Sequence, residues 1–273
     1  MTIDCLLHVH SSFSYDSQTD LAVIAARARQ EGIRCVLMAE HNNFMNEEQT
    51  AALVRRCAEL SDEALLVVPG LELAFSANRI HLLAFGVRHY IDSSSNDVSF
   101  ASLIDRIHAE DGIAVLAHPS HRQASTLIDP QDLQRLDGIE IWNVKNGNRF
   151  VPTTPDLRLL HGVRAAGGQA FGFAGLDWHH ANKFCRLVLR VEAPELSRDA
   201  VFTALRQGRF SVQGRFVRVP AAGEDRSVRL AGYHAFSRLM HTSQRTAYRW
   251  QSALERKGVR IPNLVIAAAR RIF

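Results

Sequence analysis

Histidine and carboxylate side chains recur in this sequence where short apolar runs end. The first run, CLLHVH, ends with His8 and His10, and residues two apart in a strand point to the same side. Both imidazoles can therefore reach one point. Further candidates follow at or just after the ends of later runs, and they are Asp16, His41, Glu72, His81, His118, Asp177 and His179.

Nine such side chains predict a metal site with more than one ion. A single HxH pair is common by chance, and one buried histidine more often belongs to an ordinary protein core than to a metal site. Burial of six imidazoles and three carboxylates without a cation would, however, leave several desolvation costs uncompensated. Nine ligands are too many for one tetrahedral ion, so we expect two or three divalent ions. Nitrogen and carboxylate ligands suit zinc, manganese or iron.

The strands and helices that would carry these residues alternate along the chain. Apolar runs such as IAVLAHP and AFGFAGLD predict buried strands, while NEEQTAALVRRCAEL shows helical spacing with Asn46 as its N-cap. This alternation predicts an α/β fold with a parallel sheet and outer helices. The number of strands favours a closed or nearly closed barrel, in which the carboxyl ends of the strands would gather the candidates on one face.

Composition excludes several other classes of protein. The 273 residues are 47% hydrophobic and 22% charged, which is typical of a globular domain and not of a disordered or collagen-like chain. No apolar run reaches the roughly 18 to 20 residues that span a bilayer, and the first residues show no signal-peptide pattern. The four cysteines form no CxxC pair, so we expect reduced thiols, three of them buried, in a cytoplasmic protein.

Charge divides the chain into two parts. Residues 206–273 contain 14 basic and 3 acidic residues, whereas residues 1–205 contain 18 and 25, so the net charges are +11 and −7. We predict a domain over residues 1–216, followed by a linker and a basic, mainly helical C-terminal extension over residues 217–273. The extension either docks onto the acidic body or contacts phosphates, for which its many arginines are suited.

The combined motifs resemble those of the PHP (polymerase and histidinol phosphatase) family over residues 4–210. The matching segments, in order, are HVHSSFSYDSQT, MAEHNN, PGLELAF, RIHLLAFGV, VLAHPSH, GIEIWN and GLDWHH. The resemblance implies a distorted (β/α)7 barrel, similar to a TIM barrel, that binds up to three metal ions and hydrolyses phosphate esters. Glu40 departs from the family pattern, where aspartate is common. Trp178 also departs, and it would either stack on a substrate ring or fill space.

The resemblance further implies how the candidates divide among three ions, with all nine of the family's ligand positions filled. The first, second and third sets are His8, His10, Glu72 and Asp177; Glu72, His81 and His118; and Asp16, His41 and His179. The shared glutamate would bridge two ions. Glu72 and Asp177 are accordingly expected to act in catalysis.

Three further side chains are candidates for contact with the substrate. A metal-activated hydroxide would attack phosphorus, and additional cations would stabilise the phosphoryl oxygens. Arg122, just after AHPSH, and Lys145, just after GIEIWNV, are the best-placed cations for a phosphate. His121 could protonate the leaving alkoxide. Each of the three is otherwise an ordinary loop side chain.

The resemblance favours hydrolysis of a phosphate ester at a di- or trinuclear site, and a small phosphomonoester or a nucleotide is the expected substrate. One alternative is exonuclease-like hydrolysis at an oligonucleotide end, with the basic extension as a track for phosphates. The other is a metal-stabilised binding module without turnover, which the complete ligand set disfavours. A small phosphorylated substrate is the expected partner and nucleic acid the less favoured one. No transmembrane segment is predicted, and the sequence does not indicate which oligomeric state the protein adopts.

Overall fold

Two six-stranded sheets and six helices make up the part of the chain that the structure, a computed structural model, describes. It covers residues 1–223 apart from Asn96, Asn148, Asn182, Lys183 and Phe216, and beyond them only Gly232 and Ala235. The side chain of Arg122 also lies outside the described part. The predicted basic helical extension falls almost wholly outside the described residues, so it stays a prediction.

The strands of the described residues are numbered here in chain order. They are β1 (Thr2–Val9), β2 (Cys35–Met38), β3 (Glu40–His41), β4 (Leu66–Val68), β5 (Gly70–Phe75), β6 (Ile80–Phe85), β7 (Ile113–Leu116), β8 (Gly138–Asn143), β9 (Phe171–Gly175), β10 (Val188–Glu192), β11 (Phe210–Gln213) and β12 (Arg218–Pro220). The first sheet has the order β12-β11-β10-β1-β2-β4, and the second has the order β3-β5-β6-β7-β8-β9. The short strand β12 occupies residues expected in a linker.

The directions of the strands correct the prediction of a parallel sheet. In the first sheet β1, β2 and β4 are parallel, but β10, β11 and β12 extend it from β1 in antiparallel pairs. In the second sheet β5, β6 and β7 pair antiparallel, while β3 with β5, and β7 with β8 and β9, are parallel. Only residues 76–79 join β5 to β6, too few for a parallel crossover. The fold is therefore mixed α/β.

Chain continuity and backbone hydrogen bonds connect the two sheets. Ala39 alone separates β2 from β3, and Pro69 alone separates β4 from β5, so two strand runs pass from the first sheet into the second. On the other side, Leu176, just after β9, donates its N–H to Leu7 O of β1 (3.0 Å). Ala39 N also donates to Val9 O (2.9 Å). The carboxyl ends of β1, β2 and β9 therefore lie side by side.

Helices pack against these strands and begin at side-chain caps. Their bounds are α1 (Leu21–Gln30), α2 (Glu47–Leu60), α3 (Phe100–Ala109), α4 (Pro130–Gln134), α5 (Thr154–Ala165) and α6 (Arg198–Arg206), with 3-10 helices at Asn42–Phe44 and His121–Leu127. The caps that accept an N–H of the first turn are Asp20, Asn46, Ser99, Asp129, Thr153 and Ser197. The prediction of Asn46 as a cap is confirmed.

The strands and the inner faces of the helices form an apolar core. Among its members are Leu6, Leu37 and Phe85, none of which has any exposed surface. Three of the four cysteines are buried, as predicted, and Cys185 is partly exposed. None of the helices in the described residues combines the length and the apolar character needed to cross a membrane.

Candidate metal centre

All nine predicted ligands lie in one cluster at the carboxyl ends of β1, β3, β7 and β9 and on the β5–β6 hairpin. Seven of them are buried, His81 is partly buried, and Asp16 has the most exposed side chain at 31%. The members and their positions are His8 (β1), His10 and Asp16 (after β1), His41 (β3), Glu72 (β5), His81 (β6), His118 (after β7), and Asp177 and His179 (after β9). Their role as metal ligands stays a prediction.

Glu72 is the centre of the cluster, with five imidazoles around its carboxylate. The nitrogens and their distances are, for Oε1, His81 Nδ1 (2.5 Å) and His118 Nε2 (3.4 Å), and, for Oε2, His41 Nδ1 (3.2 Å), His8 Nε2 (3.3 Å) and His10 Nε2 (3.4 Å). Burial favours the neutral acid, but the imidazoles of His8 and His81 outweigh it and hold the pKa of Glu72 well below its usual range. The two oxygens thus face different histidines.

Asp16 and Asp177 extend the cluster around His179. Asp16 Oδ2 lies 3.1 Å from His179 Nε2 and 3.4 Å from His41 Nε2. Asp177 Oδ1 lies 3.3 Å from His179 Nδ1 and 3.8 Å from His10 Nε2. The ring centroids of His10 and His179 are 4.0 Å apart, so these two imidazoles stack. The candidate ligands that lie close enough together to share an ion form three overlapping groups. They are His10, Asp16, His41 and His179; His8, Glu72 and His118; and His8, His10 and Asp177.

The backbone at three candidate ligands is in the left-handed region. His8 (φ 58°) sits at a bulge between β1 and β2, and His118 (φ 29°) and Asp177 (φ 52°) follow the ends of their strands. Such conformations cost about 1–3 kcal/mol each for residues other than glycine, and they gather at functional sites. The regular strand alternation assumed for His8 and His10 is therefore wrong in detail, because a bulge, and not an even pleat, aims the two rings.

Glu140 is a buried carboxylate of the centre that the sequence reasoning missed. Its Oε1 accepts a hydrogen bond from His8 Nδ1 (2.8 Å), and its Oε2 accepts from His118 N (2.9 Å) and Asn143 Nδ2 (3.0 Å). Because a carboxylate can only accept, His8 Nδ1 carries a proton and Nε2 is the nitrogen that faces the cluster. Burial disfavours the charged ring, but Glu140 and Glu72 outweigh it and hold the pKa of His8 well above its usual value. The feature of the sequence that could have revealed Glu140 is its position as a single acidic residue inside the apolar strand GIEIWN.

Glu40 organises the loop that carries His10 and Asp16. Its carboxylate accepts hydrogen bonds from the Ser11 hydroxyl (2.6 Å) and the Ser14 hydroxyl (2.5 Å), and burial raises its pKa to about 7. Since Ser14 gives its proton to Glu40, its oxygen accepts from His10 Nδ1 (3.1 Å). Glu40 is fully buried and therefore supports a candidate ligand through Ser14.

The outward nitrogens of His179 and His81 also have partners. His179 Nδ1 donates to Asp177 O (2.9 Å), and His81 Nε2 donates to Asn78 Oδ1 (2.7 Å). Like His8 and His10, these rings therefore direct the other nitrogen at carboxylates of the cluster. A protein group on the outward nitrogen is the arrangement that orients metal-ligating histidines.

The chemistry of the cluster fits divalent metal ions. His8 Nε2 and His10 Nε2 are buried atoms without a hydrogen-bond partner among the described residues, and burial lowers the pKa of His10 well below its usual value. Neutral imidazoles and carboxylates are the ligands that zinc, manganese and iron take. A cation between these nitrogens and the facing carboxylate oxygens would satisfy both.

A cavity of about 700 Å³ opens beside Asp16 and His179. Lys145 and Arg149 line it, and Lys145 Nζ lies 3.2 Å from Asp177 Oδ1. Of the other predicted substrate-binding residues, His121 has its ring centroid 5.6 Å from that of His118, and the Arg122 side chain lies outside the described part.

Trp178 forms a wall of this cavity. Only 4% of the residue is exposed, its Nε1 donates to His180 O (2.5 Å), and its ring packs edge-on against Phe184 with centroids 5.5 Å apart. The ring is thus held from several sides. The structure therefore favours a space-filling role for Trp178 over stacking on a substrate ring.

Comparison with known proteins gives similarity in structure only. No protein-family model and no curated protein matches the sequence. A two-domain protein containing a predicted PHP-like metal-dependent phosphoesterase, from Bacteroides vulgatus, matches with a TM-score of 0.60 and 17% identity over 80% of this chain and 66% of that one. PsfC from Pseudomonas syringae matches with a TM-score of 0.57 and 16% identity over 89% and 99%.

The lesion-specific endonuclease PfuEndoQ from Pyrococcus furiosus matches with a TM-score of 0.50 and 14% identity, over 81% of this chain and 59% of that one. The chain thus spans about two thirds of the Bacteroides protein and less of the endonuclease. At such identities the likeness concerns the fold, and it agrees with the motifs along the sequence. This chain has the fold of the PHP-like metal-dependent phosphoesterases.

Proposed function

We propose that this chain hydrolyses phosphate esters with two or three divalent metal ions held by the histidine–carboxylate cluster. The observation that carries the proposal is the surrounding of Glu72, whose two oxygens face five imidazoles in a buried site. A carboxylate with different nitrogens at each oxygen is suited to bridge two ions. A structural core gains nothing from so many desolvated polar groups.

We assign to the ions the ligand sets that the family resemblance implies. They are His8, His10, Glu72 and Asp177; Glu72, His81 and His118; and Asp16, His41 and His179. Support comes from the short distances within each set and from the partners that hold the outward nitrogens of His8, His10, His81 and His179. When bound, the ions supply Lewis acidity that lowers the pKa of water and offsets charge on the phosphoryl oxygens.

Side chains around the cluster would orient the substrate and stabilise the negative charge of its phosphoryl group. Lys145 places an ammonium group beside Asp177 and His179, where it would bind a phosphoryl oxygen, and Arg149 adds a second cation to the same cavity. His121, next to His118, would donate a proton to the leaving oxygen, and Arg122 follows it in the chain. A cavity of about 700 Å³ is within the range of small-molecule sites, which supports a small phosphomonoester or a nucleotide as substrate.

Within the mixed α/β fold, we assign the strands to a distorted (β/α)7 barrel. Taken together, β1, β2 with β3, β4 with β5, β6, β7, β8 and β9 make seven strand runs. The hydrogen bonds between β1 and the segment after β9 support its closure, and β10 to β12 then extend one side. In such a barrel the cluster occupies the face on which loop-borne catalytic groups lie.

Replacement of Glu72 by glutamine tests the proposal. Glu72→Gln keeps the shape but removes the charge that bridges the imidazoles, so we expect loss of bound metal and loss of phosphate release of 100-fold or more, on the order of 3 kcal/mol. Metal content is measured by mass spectrometry. Phosphate release is measured on nucleoside monophosphates, phenyl phosphate and a short oligonucleotide. Glu48→Gln, an exposed glutamate on α2, is the matched control. Wild-type turnover in Glu72→Gln would refute the assignment.

A further inference from the structure

Two exposed aromatic rings lie at the rim of the histidine–carboxylate cluster. Tyr15 is 58% exposed and Phe44 is 67% exposed, and their ring centroids are 4.8 Å apart. The Tyr15 ring also packs on the ring of His41, with centroids 5.1 Å apart. Exposed apolar side chains that adjoin each other at a site often mark a binding surface.

Both rings are positioned by the same segments that position candidate ligands. Tyr15 directly precedes Asp16, in the loop held by the hydrogen bonds of Glu40. Phe44 ends the 3-10 helix Asn42–Phe44, which follows His41 without a break. The rings are therefore tied to the cluster by short stretches of backbone, and a molecule bound at Asp16 and His41 would meet them.

Asp16 connects the aromatic pair with the cavity that contains the cationic side chains. Asp16 belongs to the lining of the cavity that contains Lys145 and Arg149, while its neighbour Tyr15 faces His41. The ring of Trp178 in that cavity is buried and offers no open face. Phe184, which also lines that cavity, is only partly exposed and packs on Trp178. In the described part of the chain, Tyr15 and Phe44 therefore present the most exposed apolar rings next to the cluster.

We propose that Tyr15 and Phe44 bind the organic group of the substrate and select phosphate esters that carry a flat aromatic ring, either an aryl group or a nucleobase. The proposal rests on the proposed function, because the cluster must hold the phosphate for the rings to meet the rest of the ester. A flat ring stacks on or packs edge-on against both aromatic side chains, whereas a short aliphatic group covers less of their surface. The pair thus determines specificity and takes no part in the hydrolytic step.

Three phosphonates test this selection without turnover, because their C–P bond replaces the ester bond that would be cleaved. Methylphosphonate has no ring, phenylphosphonate carries an aryl ring, and the phosphonate analogue of adenosine 5′-monophosphate carries a nucleobase. Their affinities are measured by isothermal titration calorimetry on the full chain with Mn²⁺ added. We expect at least one ring-bearing phosphonate to bind about 5- to 100-fold more tightly than methylphosphonate.

The variants Phe44→Leu and Tyr15→Leu keep an apolar side chain but remove the flat face, so each should lose most of this preference. Tyr15→Phe keeps the ring and should retain it. Val23→Ala, which shortens an exposed apolar side chain on α1, is the matched control and should leave the preference at the wild-type value. Tighter binding of the phenyl compound indicates an aryl ester, and tighter binding of the adenosine compound indicates a nucleotide.

Equal affinity for all three phosphonates, or a preference that survives both leucine variants, would overturn the selection by Tyr15 and Phe44. Release of phosphate from any ester by the wild-type protein would then still support the proposed function. No binding of any phosphonate, together with no phosphate release, would overturn both. Ring-dependent binding without phosphate release would support the aromatic pair and count against hydrolysis.

Discussion

Replacement of Glu140 by glutamine should weaken metal binding although Glu140 lies outside the predicted ligand set. Glu140 accepts three hydrogen bonds in a buried site, from His8 Nδ1, His118 N and Asn143 Nδ2. A glutamine has one oxygen and one NH₂ group, so it can serve only one side of this arrangement. If its oxygen accepts from His118 and Asn143, its NH₂ faces His8 Nδ1 and moves the imidazole proton to Nε2.

The expected loss of metal affinity follows from the position of that proton on His8 Nε2, where it blocks a metal ion. His8 Nε2 lies 3.3 Å from Glu72 Oε2 and 4.0 Å from Asp177 Oδ1, at the position where a metal ion would bind. An ion must displace the proton or do without His8. Loss of such a supporting carboxylate typically lowers metal affinity about 10- to 100-fold, or about 1.4–2.7 kcal/mol. That agrees with the loss of one hydrogen bond to a charged group, about 1.5–3 kcal/mol.

The assay is a competition titration of Zn²⁺ against a chromophoric chelator, with wild type, Glu140→Gln and the exposed-site control Glu48→Gln measured side by side. Thermal unfolding without metal checks that the variant folds. Glutamine is preferred to alanine, which would leave three buried donors unpaired and destabilise the fold itself. Equal zinc affinity in wild type and Glu140→Gln would refute the argument that Glu140 fixes the tautomer of His8.

Two further predictions concern stability. An alanine Cβ at Gly175 would clash with the Glu140 carboxylate, so Gly175→Ala should destabilise the protein by about 1–3 kcal/mol and weaken zinc binding. Gly162→Ala, whose added Cβ meets nothing within 4 Å, should instead stabilise α5 by up to about 1 kcal/mol. Urea denaturation measures both, and similar effects would contradict the reasoning. Burial raises the pKa of Asp156 to about 6, so the folded protein binds its proton more tightly than the unfolded chain. The free energy of unfolding should therefore fall by about 2–3 kcal/mol as pH rises from about 4 through 6. Asp156→Asn should remove that part of the fall, and an unchanged pH dependence in urea denaturation would count against it.

Local patterns along the chain predict many of the strands and helices and the polar residues at strand ends. Strands are recognisable as apolar runs, helices by their spacing and caps such as Asn46, and polar residues at strand ends are conspicuous because apolar neighbours surround them. The candidate ligands were therefore found without a structure, and the motifs around His8, Glu72 and Asp177 indicated the fold that the comparisons show.

Contacts between distant parts of the chain set the remaining features, and these are visible only once the chain is folded. The mixed strand directions depend on which strands pair, and apolar runs do not carry that information. For example, β10 pairs with β1 although almost the whole domain lies between them in the sequence. Glu140 resembles one polar residue in a strand until folding brings it to His8, 132 positions away in the sequence. Likewise, the exposure of Tyr15 and Phe44 is set by what packs around them. Periodicity reports which face of an element is buried, and the partner on that face is chosen by the fold.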